Sequence, residues 1–204
     1  MTGNSRALDH DPATAVRLAA ALGYLMIHQQ DPVGLIAFDE KVRQSLAPAS
    51  KRSQLGNILS MLARLGPSGA TDISASLHQV AGMLKHRSLV MIFSDLLGDH
   101  DAILKAFHRL RFAGHDLIVF HILDEAEAEF PFEGMLLLED NETHETIEVD
   151  ADAIKADYLE EVARFRANYK ADCVRARMDY VPLHTGVPFD KALMSYLSLR
   201  QARA

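Results

Sequence analysis

The stretch Ser88–Asp95, "SLVMIFSD", decides the fold. Leu89 to Phe93 are apolar without interruption, the pattern of a strand covered on both faces rather than one with a solvated side. A second run of the same kind, "DLIVFHILD" (Asp116 to Asp124), follows it, and the residues between carry helical periodicity from about Asp99 to Phe112. Strand, helix and strand in that order predict a mostly parallel sheet with helices on both faces.

Upstream, "DPATAVRLAAALGYLMIHQQ" begins with a capping Asp11 and with Pro12 at a first-turn position, and is apolar on nearly every face, which predicts a buried helix. "VGLIAF" (Val33 to Phe38) reads as an inner strand, and the more polar "VRQSLAP" as an edge strand. Helices are predicted from Ser53 to Leu65, stopped by Gly66-Pro67, and from Asp72 to Lys85. Downstream, "MLLLEDNETHETIEV" reads as two antiparallel strands around Asp140-Asn141-Glu142-Thr143. A long helix from Ala151 to about Met178, the segment "DYVPLHT" and a last amphipathic helix from Pro188 complete the chain. The expected fold is α/β, a three-layer doubly wound, mostly parallel sheet with one antiparallel edge strand and an added hairpin, in a single domain over residues 1–204.

One feature does not suit that fold. The chain opens on its most apolar helix, whereas in a doubly wound sheet such a helix follows a central strand. The pattern therefore predicts that a first strand is missing ahead of residue 1.

With 49% hydrophobic residues in 204, the chain can build one substantial core. Its net charge of −7 and the lack of a Lys/Arg cluster argue against a nucleic-acid partner. No apolar run is long enough to span a membrane and no signal-peptide pattern opens the sequence, so a cytoplasmic location without membrane contact is expected. Cys173 is the only cysteine, which excludes an internal disulfide and a thiolate zinc cluster.

Open parallel sheets bind ligands beyond the carboxyl ends of their strands. Asp39, Asp95 and Asp124 each terminate an apolar run; Asp95 either presents a carboxylate at the sheet's rim or caps the turn that follows. "GPSGATD" places Thr71 at the start of a helix, either as a cap or as a hydroxyl ligand. His115 and His121, an even number of residues apart, read as a structural pair on one side of a strand, and His100 and His108 as solvent-facing. No His-Glu-x-x-His, Gly-x-Ser-x-Gly or phosphate-loop motif occurs, and a non-enzymatic role is expected.

The glycine-rich turn with Thr71-Asp72, the helix after it and the strand ending at Asp95 resemble the second and third loops of a von Willebrand factor A-type domain. More specifically, "LAAALGYLMIHQQDPVGLIAFDEKVR", "GATDISASL", "SLVMIFSDLLGD", "LRFAGHDLIVFHILDEAEAEFPFEG" and "YLEEVARF" together resemble the bacterial domain of unknown function family 58, from about residue 13 to residue 198. The resemblance implies a protein-interaction module working with a MoxR-type AAA ATPase. It also implies an Mg²⁺ (or Mn²⁺) site with Thr71 and Asp95 as metal ligands and Asp39, Asp72 and Asp99 as nearby acids.

Domains of that type begin their metal site with Asp-x-Ser-x-Ser after the first strand. The chain contains that spelling as Asp72-Ile73-Ser74-Ala75-Ser76, but it follows Gly66-Pro67-Ser68-Gly69-Ala70 instead of an apolar strand, so it reads as the start of a helix. The family's loop is commonly followed by methionine, which suggests that Met1 is that residue and that the loop lies upstream. Thr71 and Asp95 alone would hold Mg²⁺ weakly, and oligomerisation is one way to cover the missing strand. The alternatives are a receiver-like phosphoacceptor domain or a metal-dependent hydrolase built on the same acidic rim.

Overall fold

The structure is a computed structural model that describes residues 13–39, 41–66, 72–139, 146–188, 190–191 and 193–194. Along the chain these form α1 (Ala13–His28), β1 (Val33–Phe38), β2 (Val42–Ala49), α2 (Ser53–Leu62), α3 (Ile73–Met83), β3 (Leu89–Ser94) and α4 (His100–Phe112). Then come β4 (Asp116–Leu123), α5 (Glu125–Glu129), β5 (Met135–Glu139), β6 (Thr146–Asp150), α6 (Ala151–Arg175) and β7 (Asp179–His184). The helix expected from Pro188 falls largely outside the described residues.

The architecture is mixed α/β. A three-stranded parallel sheet has the order β3-β4-β7, and two antiparallel ladders, β1-β2 and β5-β6, stand apart from it. The central strand is β4, buried from Leu117 to Leu123. Its side chains alternate between two cores, as a pleated strand requires. On one side Leu117 and Val119 join Ile92 with Ile73 and Leu77 of α3, Phe107 and Leu110 of α4, and Tyr169 and Cys173 of α6. On the other, Ile118, Phe120 and Ile122 meet Leu18 and Leu22 of α1 and Val181 and Leu183 of β7. Each fully buried side chain of this kind contributes about 1.5–3 kcal/mol.

Two expectations are corrected, and one segment left unassigned gains a strand. Helix α1 is not buried all round: its buried residues Thr14, Leu18, Leu22, Gly23 and Ile27 form one stripe, and Tyr24 is 51% exposed. Strand β1, expected as an inner strand, pairs among the described residues with β2 alone, and β3, expected to be covered on both faces, is less buried than that. Among the described residues β3 lies at the edge of the parallel sheet, with only Ile92 buried and its other residues half-buried or exposed. The segment "DYVPLHT", which carries no clear strand signal because Pro182 interrupts it, supplies β7. Thr185 N–H donates to Leu123 O, a register that points Val181 and Leu183 at β4 and Pro182 outward, where its missing N–H costs nothing.

The β1-β2 ladder is held to its helix by Gln54, a buried side chain whose Nε2 donates to Val33 O at 2.8 Å and Ala47 O at 2.9 Å. Gly34 lets the strands close on each other: a Cβ there would lie 2.8 Å from Leu46 O.

Candidate functional site

Asp95 leaves the carboxyl end of β3 in a tightly held loop. Its Oδ1 accepts from Leu97 N–H at 3.1 Å, and the Ser94 hydroxyl oxygen accepts from Leu96 N–H at 3.0 Å. Leu96 sits at φ 57, a left-handed conformation that a leucine adopts only under constraint. The constraint is visible: the Leu96 side chain is wholly buried, and the Tyr169 hydroxyl donates to its carbonyl at 3.2 Å. Asp99 then caps α4, accepting from Ala102 N–H at 2.8 Å. Between these anchors Leu97 stands 50% exposed beside two acidic residues.

Beneath the loop lies a buried aromatic and histidine cluster. His121 is wholly buried, its Nδ1 lies 2.6 Å from the Tyr180 hydroxyl, and Phe165, Tyr169 and Tyr180 surround it edge-on. Burial, helped by the positive charge of Arg166, pushes its pKa down to about 4 against an opposing pull from Asp95, so the imidazole is neutral at pH 7. Burial likewise pushes the Cys173 thiol up to about 12, which keeps it protonated. His115 is also buried, its Nδ1 accepting from Ser88 N–H at 3.2 Å. Of the two histidines expected in solvent, His108 is exposed, but His100 is half-buried, 2.9 Å from Asp172 Oδ2 and with its ring tilted against that of Tyr169.

The other rim carboxylates have local work. Asp39 is buried, pairs with Arg43 and accepts from Lys41 N–H at 3.2 Å. Asp124 forms a capping box with Glu127 and accepts from the Thr185 hydroxyl at 2.9 Å. Asp72 caps α3, accepting from Ala75 N–H at 2.9 Å, while Ser76 is buried with its hydroxyl donating to Asp39 O at 2.6 Å. The Asp-x-Ser-x-Ser spelling is therefore the first turn of a helix.

Thr71 lies outside the described residues, so its distance to Asp95 is not part of this geometry. Among the described residues, Asp95 is the single rim carboxylate at the end of β3, and Asp39, Asp72 and Asp99 already serve an ion pair or helix caps. Of the two expected metal ligands, Asp95 is the one among the described residues, and its carboxylate holds the turn through Leu97 N–H.

Sequence patterning did not mark one further cluster at the rim. Glu125 and Glu129 of α5 and His184 at the end of β7 bring one ligand atom each within 4.8 Å of one another. The glutamates' spacing of four was legible; the approach of His184, some sixty positions away in sequence, was not. A cavity of about 420 Å³ lined by Arg87, Ser88, Leu89, Arg111, Gly114 and Asp116 lies at the opposite, amino-terminal edge of the sheet. There Arg111 is engaged by His115 O at 2.7 Å and Asp116 Oδ1 at 2.6 Å.

The family described as "Protein of unknown function DUF58" matches residues 5–168. No curated protein gives a significant match. Among solved structures, the chain is similar to a conserved hypothetical protein BatB from Bacteroides thetaiotaomicron, at 13% identity and a TM-score of 0.53, covering 94% of this chain and 88% of that one. It is also similar to an aerotolerance-related membrane protein from Bacteroides fragilis NCTC 9343, at 15% identity and a TM-score of 0.54, covering 93% of this chain and 86% of that one. At these identities the likeness is one of fold. Among the described residues, no helix is long and apolar enough to cross a membrane.

Proposed function

The chain belongs to the DUF58 family, and from that premise we propose that it is a non-enzymatic, von Willebrand factor A-like protein-interaction module that docks a partner protein on the Asp95–Asp99 loop. The observation that carries this reading is the loop's combination of rigidity and exposure. Leu96 is locked from below by Tyr169 and by its own burial, while Leu97 is held out in solvent between Asp95 and Asp99. A half-exposed apolar anchor flanked by carboxylates, ordered before contact, binds a partner without the entropy cost of ordering a flexible segment.

The partner chemistry that suits it is an apolar pocket edged by Lys or Arg, and a MoxR-type AAA ATPase is the proposed partner. Nucleic acid does not suit a chain with a net charge of −7. The proposed location is the cytoplasm. Mg²⁺ or Mn²⁺, held by Thr71 and Asp95 alone, is proposed to bind weakly. Co-expressing the chain with the ATPase of its own organism tests the proposal: stable co-purification supports it, and no complex at micromolar concentrations of both overturns it.

A further inference from the structure

The acidity of the chain is concentrated in one segment. Residues 112–154 hold thirteen of its 28 acidic residues and none of its 21 Lys and Arg, so the remainder of the chain is net positive. The β5-β6 ladder lies within that segment, and it also exposes apolar side chains: Met135 is 63%, Leu137 60% and Ile147 61% exposed. A ladder of two strands is marginal by itself, and a third strand makes it secure. Among the described residues no third strand joins β5 and β6.

The two edges of this ladder differ. Ala151 N–H donates to Gly134 O, which makes Gly134 and Ala151 a hydrogen-bonded pair and fixes the alternation of the antiparallel ladder after it. Leu136 and Leu138 therefore turn their backbone groups to β6, and Met135 and Leu137 turn theirs outward. On β6 the outward positions include Glu148 and Asp150, charges of the kind that discourage another strand. From Met135 to Leu138 the edge of β5 has no such charge and no proline. Side chains alternate as well. Met135 and Leu137 share the exposed face with Asp150 and Glu148 opposite them, and Leu136 and Leu138 lie half-buried on the other face.

We propose that the outer edge of β5 is a docking site for an extended, cationic segment of another polypeptide, added to the ladder as a third strand. The segment alternates Lys or Arg with apolar residues. Its cations lie on the face of Met135 and Leu137, where their aliphatic stems cover the exposed apolar side chains and their charged ends reach toward Glu148 and Asp150. Its apolar residues extend the half-buried row of Leu136 and Leu138. Main-chain hydrogen bonds supply affinity, and the alternation supplies specificity. The acidic surroundings repel nucleic acid and anionic lipid, and they set a second copy of this chain at a disadvantage because like charges would meet. This site is separate from the Asp95–Asp99 loop and does not rest on the docking proposed there.

Fluorescence anisotropy of labelled peptides, titrated with the whole 204-residue chain, tests it. One short peptide alternates Lys and Val, and a second has the same residues in two blocks. Two variants accompany the unsubstituted chain. Leu137→Pro removes an outward N–H that the β6 ladder does not use, and Leu137→Lys places a cation in the apolar strip. The alternating peptide is expected to bind at least about tenfold more tightly than the blocked one, and each variant to weaken it by about tenfold or more. Leu97→Ser leaves its binding unchanged. The proposal is overturned by equal binding of the two peptides, by binding that survives Leu137→Lys, or by no binding at about 100 μM chain. It is also overturned if Leu97→Ser abolishes binding, which assigns the peptide to the rim loop, or if sedimentation shows a dimer of this chain that Leu137→Lys dissociates. Should Leu137→Pro fail to fold, Leu137→Lys decides.

Discussion

The Ser76 hydroxyl donates to the Asp39 carbonyl at 2.6 Å, tying the first turns of α3 to the end of β1 across 37 residues of sequence. Both groups are buried. Replacing Ser76 with alanine removes this buried hydrogen bond, and the expected loss is about 1 kcal/mol in urea unfolding. Manganese affinity, measured by titration, stays where it was. A structural serine changes stability alone; a fall in metal affinity with unchanged stability would return Ser76 to the cation loop that its sequence spells.

The neutral, buried His121 predicts acid sensitivity. Its pKa in the folded chain, about 4, lies below the ordinary 6.5, so the unfolded chain takes up a proton that the folded chain refuses. The stabilisation is complete above the ordinary value and is lost as pH falls toward 4. Between pH 7 and pH 5 the loss from this group is about 2 kcal/mol. Urea midpoints across that range check it, and His121→Phe, although less stable at pH 7 for want of the Tyr180 bond, shows a flatter pH dependence. An equal slope in both proteins would assign the acid sensitivity elsewhere.

Leu97→Ser separates docking from folding. The side chain is half exposed, so stability moves by no more than about 0.5 kcal/mol. Partner affinity falls at least about tenfold, the loss of one apolar anchor. Leu96→Ser, one position earlier, does the reverse of this first effect: it removes a wholly buried side chain and costs several kcal/mol, of order 2–5. Thermal melts and a binding titration on the two variants read both effects.

Much of this was legible in the sequence, and the omissions have physical reasons. Uninterrupted apolar runs mark β3 and β4, and an aspartate after the first of them marks the rim. A run shows that a strand wants cover on both faces; it does not show which neighbours pair with it, so the order β3-β4-β7 was hidden. Pro182 masks β7 because an edge strand tolerates a proline that pattern alone counts against it. The His121–Tyr180 contact and the approach of His184 to Glu125 and Glu129 join residues about sixty positions apart, and no local pattern carries them. The exposure of Leu97 beside the buried Leu96 depends on a single left-handed residue, which composition does not announce.

The most direct test of the docking account is Asp95→Asn, titrated against the partner ATPase alongside the unsubstituted chain. Asparagine keeps the oxygen that accepts from Leu97 N–H and so preserves the turn, while removing the charge. The predicted result is an unchanged melting temperature with affinity weakened by about tenfold or more, as loss of one interfacial charge pair gives. Unchanged affinity in a properly folded variant would contradict the claim that this loop is where the partner docks.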